Sequence, residues 1–549
     1  MTAHDAPAAH WRPQGRTELA GLLAREWDLL VIGGGITGAG ILLEAARRGL
    51  RALLVEQKDF AWGTSSRSSK LVHGGLRYLK EGQFSLTRES VHERESLLKE
   101  AAGLVEPQSF AFGDYEGRKP GRRSFLLGLA IYDRMAGQSQ RHYHSADEFL
   151  RLAPHIRTEG LRGGICYNDA KTDDARLVMR VLHEAQRHGG VALNYLSVQG
   201  LTREAGRVGG AALRDELTGG SYTIRAGATI SATGAWADQL RVHNGAAPRL
   251  RPLRGSHLVL PFWRLPLAQA VSLMHPQDGR PVFAFPWEGV TLVGTTDVDH
   301  REQMSGEAAI TQQETDYLLA ALHDQFPALA LGEPDVIASY AGVRPVIDTG
   351  KQDPSREARD HALWLEDGLL TVTGGKLTTF RVIALDALKQ ARALLPDWQA
   401  DLSPQPIFSA AIDAPGPEQG STGGTAAAGA PPRLPPGQAH RLQGRYGVHA
   451  PALLQAAARG ELEAIPGTET LWAQLRWAAR HESVHRLDDL LLRRTRLGIQ
   501  LRQGGAHILS RIRAICQQEL AWSDQRWAAE EAAYLALWKN HYSLPRERA

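Results

Sequence analysis

The sequence predicts an α/β protein built from a parallel-sheet nucleotide domain, a mixed or antiparallel-sheet domain and a C-terminal all-helical domain. Three observations carry this. A strand–glycine turn–helix–strand unit occupies Leu29 to Glu56. Short apolar runs broken by Pro and Gly fill residues 250–345. After His440, Leu, Ala and Trp recur at helical spacing.

The first unit opens with the apolar run Leu29-Leu30-Val31-Ile32, the pattern of a buried parallel strand. Gly33, Gly35 and Gly38 follow in G-x-G-x-x-G spacing. Gly33 permits the tight turn, Gly35 lets the backbone approach a pyrophosphate, and Gly38 lets the helix pack closely on the strand. The helix runs to about Arg48, with Gly49 as its C-cap. A second apolar run, Ala52 to Val55, ends in Glu56, placed to accept the hydroxyls of an adenosine ribose. Strand, glycines, helix, strand and acid in this order define a Rossmann-like dinucleotide site.

The next stretch argues for a flavin rather than a nicotinamide. Gly63-Thr64-Ser65-Ser66-Arg67-Ser68-Ser69-Lys70 leads into Leu71-Val72-His73-Gly74-Gly75-Leu76-Arg77-Tyr78. Hydroxyls, backbone amides and a lysine suit a large anion and its ring system. Composition alone also fits a polar surface loop.

A chain of 549 residues is too long for one core, so two or three domains are expected. A net charge of +3 is too weak to argue for nucleic acid, and is compatible with an anionic substrate or an anionic membrane surface. The two cysteines, Cys166 and Cys516, form no CxxC pair; neither a metal site nor a disulfide framework is expected, and a reducing compartment is. No apolar leader and no run of 18 apolar residues is present, so no signal peptide and no spanning helix are expected.

In chain order, residues 1–26 read as a flexible N-terminal extension. The nucleotide domain is expected to be discontinuous, over 27–105, 160–245 and 369–400. A charged helix spans Phe84 to Glu100, and a helix from about Asp173 to His188 is capped by Asp173 or Asp174. Val191 to Val198 reads as a strand, with a hairpin from Val208 to Ile224 and a strand–Gly turn at Ala228 to Ala237. Residues 106–159 and 246–368 form the substrate domain. A strand and Gly-Gly turn at Leu369 to Arg381 return the chain to the nucleotide. Residues 401–438, rich in Pro, Gly and Ala, read as a linker, and 439–549 as the helical domain, its tryptophans in the core.

The motifs Ile32 to Gly38, Thr64 to Tyr78, Ala232-Thr233-Gly234-Ala235-Trp236, Gly255-Ser256-His257, Gly294-Thr295-Thr296-Asp297, Gly342-Val343-Arg344-Pro345 and Gly374-Gly375-Lys376-Leu377-Thr378-Thr379 together resemble the FAD-dependent sn-glycerol-3-phosphate dehydrogenase family. Arg486 to Thr495 resembles that family's helical cap domain. Two features depart from it: a longer linker, and Leu42 where flavoprotein fingerprints often carry a small residue.

The resemblance implies oxidation of sn-glycerol 3-phosphate to dihydroxyacetone phosphate, with hydride passing to N5 of FAD and electrons to a membrane quinone. FAD contacts are expected from Gly33, Gly35, Ile36, Thr37, Gly38 and Glu56, then from Thr64, Ser65, Ser68, Lys70, Leu71 and His73. Val198, Thr233 and Gly234 follow, with Gly375, Lys376, Leu377 and Thr378 near the flavin. His73 suits packing equally well. Arg77 and Arg344 are the phosphate ligands, because guanidinium binds phosphate bidentately; Tyr78 and Thr295 donate hydrogen bonds. His257 is the base, with Arg344 polarising the C2 oxygen and Lys376 adding a point charge.

The alternatives are an oxidase that passes electrons to oxygen, an FAD-dependent amine or amino-acid oxidase, and a non-enzymatic flavoprotein. With quinone as acceptor, the enzyme is expected to be cytoplasmic and peripherally attached to the cytoplasmic membrane face. Arg118, Lys119, Arg122 and Arg123, with the apolar run Phe125 to Tyr132, are the candidate contact; a buried helix of the substrate domain is the other reading. A homodimer is compatible with the sequence.

Overall fold

The computed structural model describes residues 8–13, 15–76, 79, 82–118, 121–137, 141–352, 357, 360–409 and 434–548. Two sheets organise it. The first has eight strands, in the order His361–Glu366, Leu369–Gly374, Ser221–Ser231, Trp27–Ile32, Ala52–Val55, Val191–Leu193, with the Leu196–Glu204 and Arg207–Asp215 strands attached beside Ser221–Ser231. Its centre is parallel: Leu29 pairs with Ala228 on one side and Ala52 on the other. The central strand is closed to solvent from Leu29 to Val31, so its apolar residues need no alternation.

Helix Ile36–Ala46 packs between this sheet, helix Phe380–Ala391 and helix Asp174–Arg187. Gly40 is required there, since a Cβ would lie 2.8 Å from the Phe380 ring. The Leu42 departure is absorbed: Leu42 is fully buried and faces Gly190, whose missing side chain makes room for it.

The second sheet has ten strands and is almost wholly antiparallel. At its heart, Leu250–Pro261 pairs with Ala338–Ile347, setting Gly255 opposite Gly342 and His257 opposite Tyr340. Val105–Tyr115 pairs along its length with Leu161–Thr172, which also takes the short strand Leu71–Val72. The C-terminal helices pack on this sheet: Trp472, Trp527 and Trp538 join Phe110, Tyr167 and Trp287 in one apolar cluster.

Several boundaries differ from the sequence reading. Strands Leu71–Val72 and Leu161–Thr172, expected in the nucleotide domain, belong to the second sheet, because their hydrogen-bond partners are the 105–115 strand and each other. The described part of residues 1–26 is not a loose extension: Trp11 is 1% exposed and donates its indole N–H to the Ala192 carbonyl at 2.7 Å, and Arg16 pairs with Asp215. Residues 401–409 are anchored at both ends though mostly exposed, with Ile407 and Phe408 buried and the Asp401 carbonyl held by Arg48. Residues 410–433, the rest of the expected linker, lie outside the described residues, and a helix begins at Pro436. The 191–198 run is broken at Tyr195, in a left-handed conformation with φ +57°, into two strands.

Helix Arg122–Ala136 is two-faced. Leu129 and Tyr132 are buried, and the Tyr132 hydroxyl binds the Asp169 carboxylate at 2.6 Å. Leu127 is 66% exposed and Ile131 36%. No helix among the described residues is long and apolar enough to cross a membrane.

Candidate active site

At the carboxyl ends of the parallel strands a cavity of about 350 Å³ opens, where ligands bind in open α/β sheets. Ile32 at the end of Trp27–Ile32, Ala232 just past Ser221–Ser231 and Val372 within Leu369–Gly374 line it. Along its walls stand Gly33, Gly35, Ile36, Thr37 and Glu56, then Thr64, Ser65 and Ser68, then Val198, Thr233 and Gly234, and finally Gly375, Lys376 and Leu377. The structure thus brings together fourteen selected residues, twelve from four distant motifs, with Glu56 and Val198. It adds others that the motifs passed over: Trp62, whose ring faces Trp236 at 5.4 Å, and Gln199, Gly200 and His243 at the Val198 end. Trp236, inside the Ala232–Trp236 motif, also lines the cavity.

The cavity fits a dinucleotide on its own geometry. Gly35 caps helix Ile36–Ala46 in an extended conformation open to any residue, so its need for glycine comes from the cavity side. The Ile36 N–H, first on that helix, donates at 3.0 Å to the Ser65 hydroxyl, and a helix N-terminus of this kind favours a phosphate oxygen. Gly33, at φ +114°, turns the chain, and a Cβ on Gly38 would overlap the Gly33 carbonyl oxygen. Gly38 is therefore a packing residue and does not line the cavity. The Glu56 carboxylate accepts the Gly34 N–H at 2.7 Å and the Lys58 N–H at 2.9 Å, fixed at the second strand end with lone pairs to spare. Burial raises its pKa, opposed by those two amides.

At the other end, Lys376 follows two left-handed glycines, Gly374 and Gly375. Its ammonium donates to Ser90 Oγ at 2.9 Å, and burial lowers its pKa to about 8, opposed by Asp360 and Glu89. Pro345 reaches the cavity wall here, with Arg344 behind it. The Arg344 guanidinium lies flat over Gly255, where any side chain would collide with it. It donates to Thr295 Oγ1 at 2.9 Å and pairs with Asp297 at 3.2 Å. This gathers Arg344 and Thr295 as the motifs implied. Arg77 and Tyr78 lie outside the described residues.

His257 is seated in the same way, over Gly294, and stacks on Tyr340 with centroids 4.6 Å apart. Its Nε2 meets Ser69 Oγ at 2.9 Å, while Nδ1 is buried without a hydrogen-bond partner. Burial, with Arg344 and Lys70 nearby, holds its pKa well below the usual value, so the ring is neutral. At 1% exposure it stands behind Ser69 rather than on the cavity wall. His73 also stays off the lining residues, but its side chain is partly exposed and its pKa is lowered by burial and by Lys376 and Arg94, with Asp169 opposing.

Lys70 is a correction. Expected at the cofactor, it points the other way: its ammonium is fully buried, 2.9 Å from Asp174 and 3.0 Å from the Ser66 carbonyl, over the rings of Tyr340 and Trp287. Asp174 also accepts the Ser68 N–H and hydroxyl, so this pair shapes the loop from behind. Leu71 is core of the second sheet, and Thr378 is buried with its hydroxyl on the His73 carbonyl; neither lines the cavity.

The sequence profile "FAD dependent oxidoreductase" matches residues 28–381, and "C-terminal domain of alpha-glycerophosphate oxidase" matches 410–527. The chain is 35% identical over 484 residues to a Staphylococcus aureus (strain USA300) protein named aerobic glycerol-3-phosphate dehydrogenase, covering 86% of each. Among solved structures it is similar to the Bacillus halodurans glycerol-3-phosphate dehydrogenase complexed with FAD, with a TM-score of 0.72 and 28% identity, covering 96% of this chain and 98% of that one. A Mycoplasma pneumoniae L-α-glycerophosphate oxidase with FAD bound shares the fold at a TM-score of 0.55 and 19% identity, covering 70% of this chain and 98% of that one.

Proposed function

The chain belongs to the FAD-dependent glycerol-3-phosphate dehydrogenase family, and from that premise we propose that it oxidises sn-glycerol 3-phosphate to dihydroxyacetone phosphate and delivers the electrons to a quinone. One observation carries the reading: Lys376 stands on the cavity wall, and Arg344, next in the chain to the wall residue Pro345, is held by Thr295 and Asp297; two cations suit a dianionic substrate beside a flavin.

FAD, when bound, supplies the hydride acceptor. The chain supplies the rest. The N-terminus of helix Ile36–Ala46, at Gly35 and Ile36, would meet the pyrophosphate, and Glu56 the ribose. Arg344 and Lys376 would hold the phosphate end, an interaction that a neutral alcohol lacks. Thr295, already bonded to Arg344, orients the polar groups of the substrate. The C2 hydroxyl proton goes to a neutral imidazole. His257 is that group if Ser69 yields its place at Nε2. Its buried Nδ1 and occupied Nε2 favour a second candidate, His73, which is partly exposed and electrostatically coupled to Lys376.

Helix Arg122–Ala136 is the proposed membrane contact, through its outer face alone. Exposed Leu127 and Ile131 would touch the acyl boundary, with exposed Arg123 and Arg134 at head groups, while Arg122 stacks on Tyr143. Arg118 is diverted, stacked on Tyr115 and bonded to the Gly113 carbonyl, and Lys119 lies outside the described residues.

Anaerobic addition of glycerol 3-phosphate should bleach the FAD absorption of the purified protein while amino acids leave it unchanged; bleaching by glycine or proline alone would sink the reading. The match of residues 410–527 to an oxidase C-terminal domain favours a second acceptor, oxygen. Turnover with a quinone analogue against hydrogen peroxide release separates the two.

A further inference from the structure

Among the described residues the C-terminal helical domain contributes nothing to the cavity wall. Yet its Asp489–Arg494 turn and the two residues after it reach the loop that does. Arg494 donates twice to the Asp59 carboxylate, both bonds at 2.7 Å, and Arg493 once at 2.5 Å. Arg496 spans two carbonyls: one guanidinium nitrogen donates to Leu492 O of its own turn at 2.5 Å, the other to Ser66 O at 2.6 Å. Asp59 and all three arginines are at most 2% exposed. Asp488 and Asp489 balance the excess positive charge by pairing with Arg493.

Asp59 and Ser66 bracket a segment that includes Trp62, Gly63, Thr64 and Ser65, all on the cavity wall. The loop has no ladder of its own. Its ends are held from afar, Asp59 by Arg493 and Arg494 together with Asn194, and the Ser66 carbonyl by Arg496 alongside the nearby Lys70. A carboxylate gripped by two guanidinium groups in a dry interior has few alternative positions. The loop hydroxyls and amides that face the nucleotide are thereby pre-organised.

We propose that Arg493, Arg494 and Arg496 form a cofactor-retention clamp, by which the C-terminal domain fixes the Asp59–Ser66 loop in its FAD-binding shape from outside the cavity. The proposal rests on the reading of that cavity as the FAD site. Arg496 and Arg494 are positioning residues: they act on the cofactor only through the loop.

The test compares FAD release from purified holoenzymes, read as the recovery of free-flavin fluorescence on dilution, alongside thermal unfolding. Arg496→Lys keeps the charge but cannot span the two carbonyls. Arg494→Lys loses one of the two bonds to Asp59. The control is Arg476→Met, which breaks an ion cluster with Glu461 and Glu519 inside the same domain, away from the loop. The clamp predicts that Arg496→Lys and Arg494→Lys release FAD at least tenfold faster, whereas Arg476→Met lowers the melting temperature and releases FAD at the wild-type rate. Wild-type release from both lysine variants would overturn the proposal. So would release that follows melting temperature across all three variants, since that marks general destabilisation. If the wild-type protein carries no flavin and binds none, the cavity reading itself fails, which is a different result from either.

Discussion

Gly35→Val separates cofactor binding from folding, because the structure gives the fingerprint glycines different reasons to be glycine. At Gly35 the backbone is extended, with φ −82° and ψ −176°, and a Cβ would meet only the Ser65 hydroxyl, at 3.0 Å. A valine costs little in the empty protein, since that hydroxyl can rotate. The same side chain stands where phosphate oxygens must approach the first amides of helix Ile36–Ala46. Losing about two hydrogen bonds to a charged group, with part of the helix-dipole contribution, removes roughly 3–6 kcal/mol. That is on the order of 10²–10⁴ in FAD affinity. Gly38→Ala is the counterpart: its Cβ would overlap the Gly33 carbonyl, so it should lower the melting temperature through overpacking of about 1–3 kcal/mol or more. Flavin content after gel filtration, FAD titration and thermal melts of both variants test this. Normal flavin occupancy in Gly35→Val, or unfolding of Gly35→Val before Gly38→Ala, would refute the division of roles.

Arg344→Gln should weaken glycerol 3-phosphate binding by roughly 2–5 kcal/mol, with a much smaller loss for glycerol; equal losses would place Arg344 in folding or chemistry instead. Lys376, with its pKa lowered to about 8, is charged below that pH, so KM for glycerol 3-phosphate should rise as pH climbs through 8, and Lys376→Arg should flatten the rise. His257→Gln and His73→Gln identify the base: kcat falls about 10²-fold or more only in the variant that removes it, and equal, small losses in both would exclude an imidazole. Leu127→Glu with Ile131→Glu should abolish vesicle binding and quinone activity while dye-linked activity and FAD content persist; retained vesicle binding would move the membrane contact elsewhere.

The nucleotide half of this architecture was legible because its signal is local. Gly33, Gly35, Gly38 and Glu56 lie within one strand–helix–strand unit, and each spacing has one physical meaning. The second sheet was legible only as strand-rich sequence. Nothing in Leu161 to Thr172 distinguishes a strand of one sheet from a strand of the other, because its assignment rests on pairing with Val105–Tyr115. Trp11 shows the same limit. A Pro- and Ala-rich opening reads as loose chain, and only the Ala192 carbonyl, 181 residues on, makes it core.

The site was legible residue by residue only where one function governs a whole motif, and the stretch from Asp59 to Val72 is not such a place. Successive residues there serve different bodies. Asp59 answers the C-terminal arginines, Thr64, Ser65 and Ser68 face the cavity, and Ser69 holds His257. Lys70, held at φ +55°, turns inward to Asp174, and Leu71 and Val72 then enter the second sheet. The switch from cavity to core falls between Ser68 and Lys70, and a composition rich in hydroxyls and cations cannot locate it. That is why Lys70 was assigned to the cofactor on charge. It also explains how so short a segment can join both sheets and the helical domain around one cavity: Asp59 is held by the C-terminal arginines, Ser68 and Lys70 share Asp174, and Leu71 and Val72 pair in the second sheet.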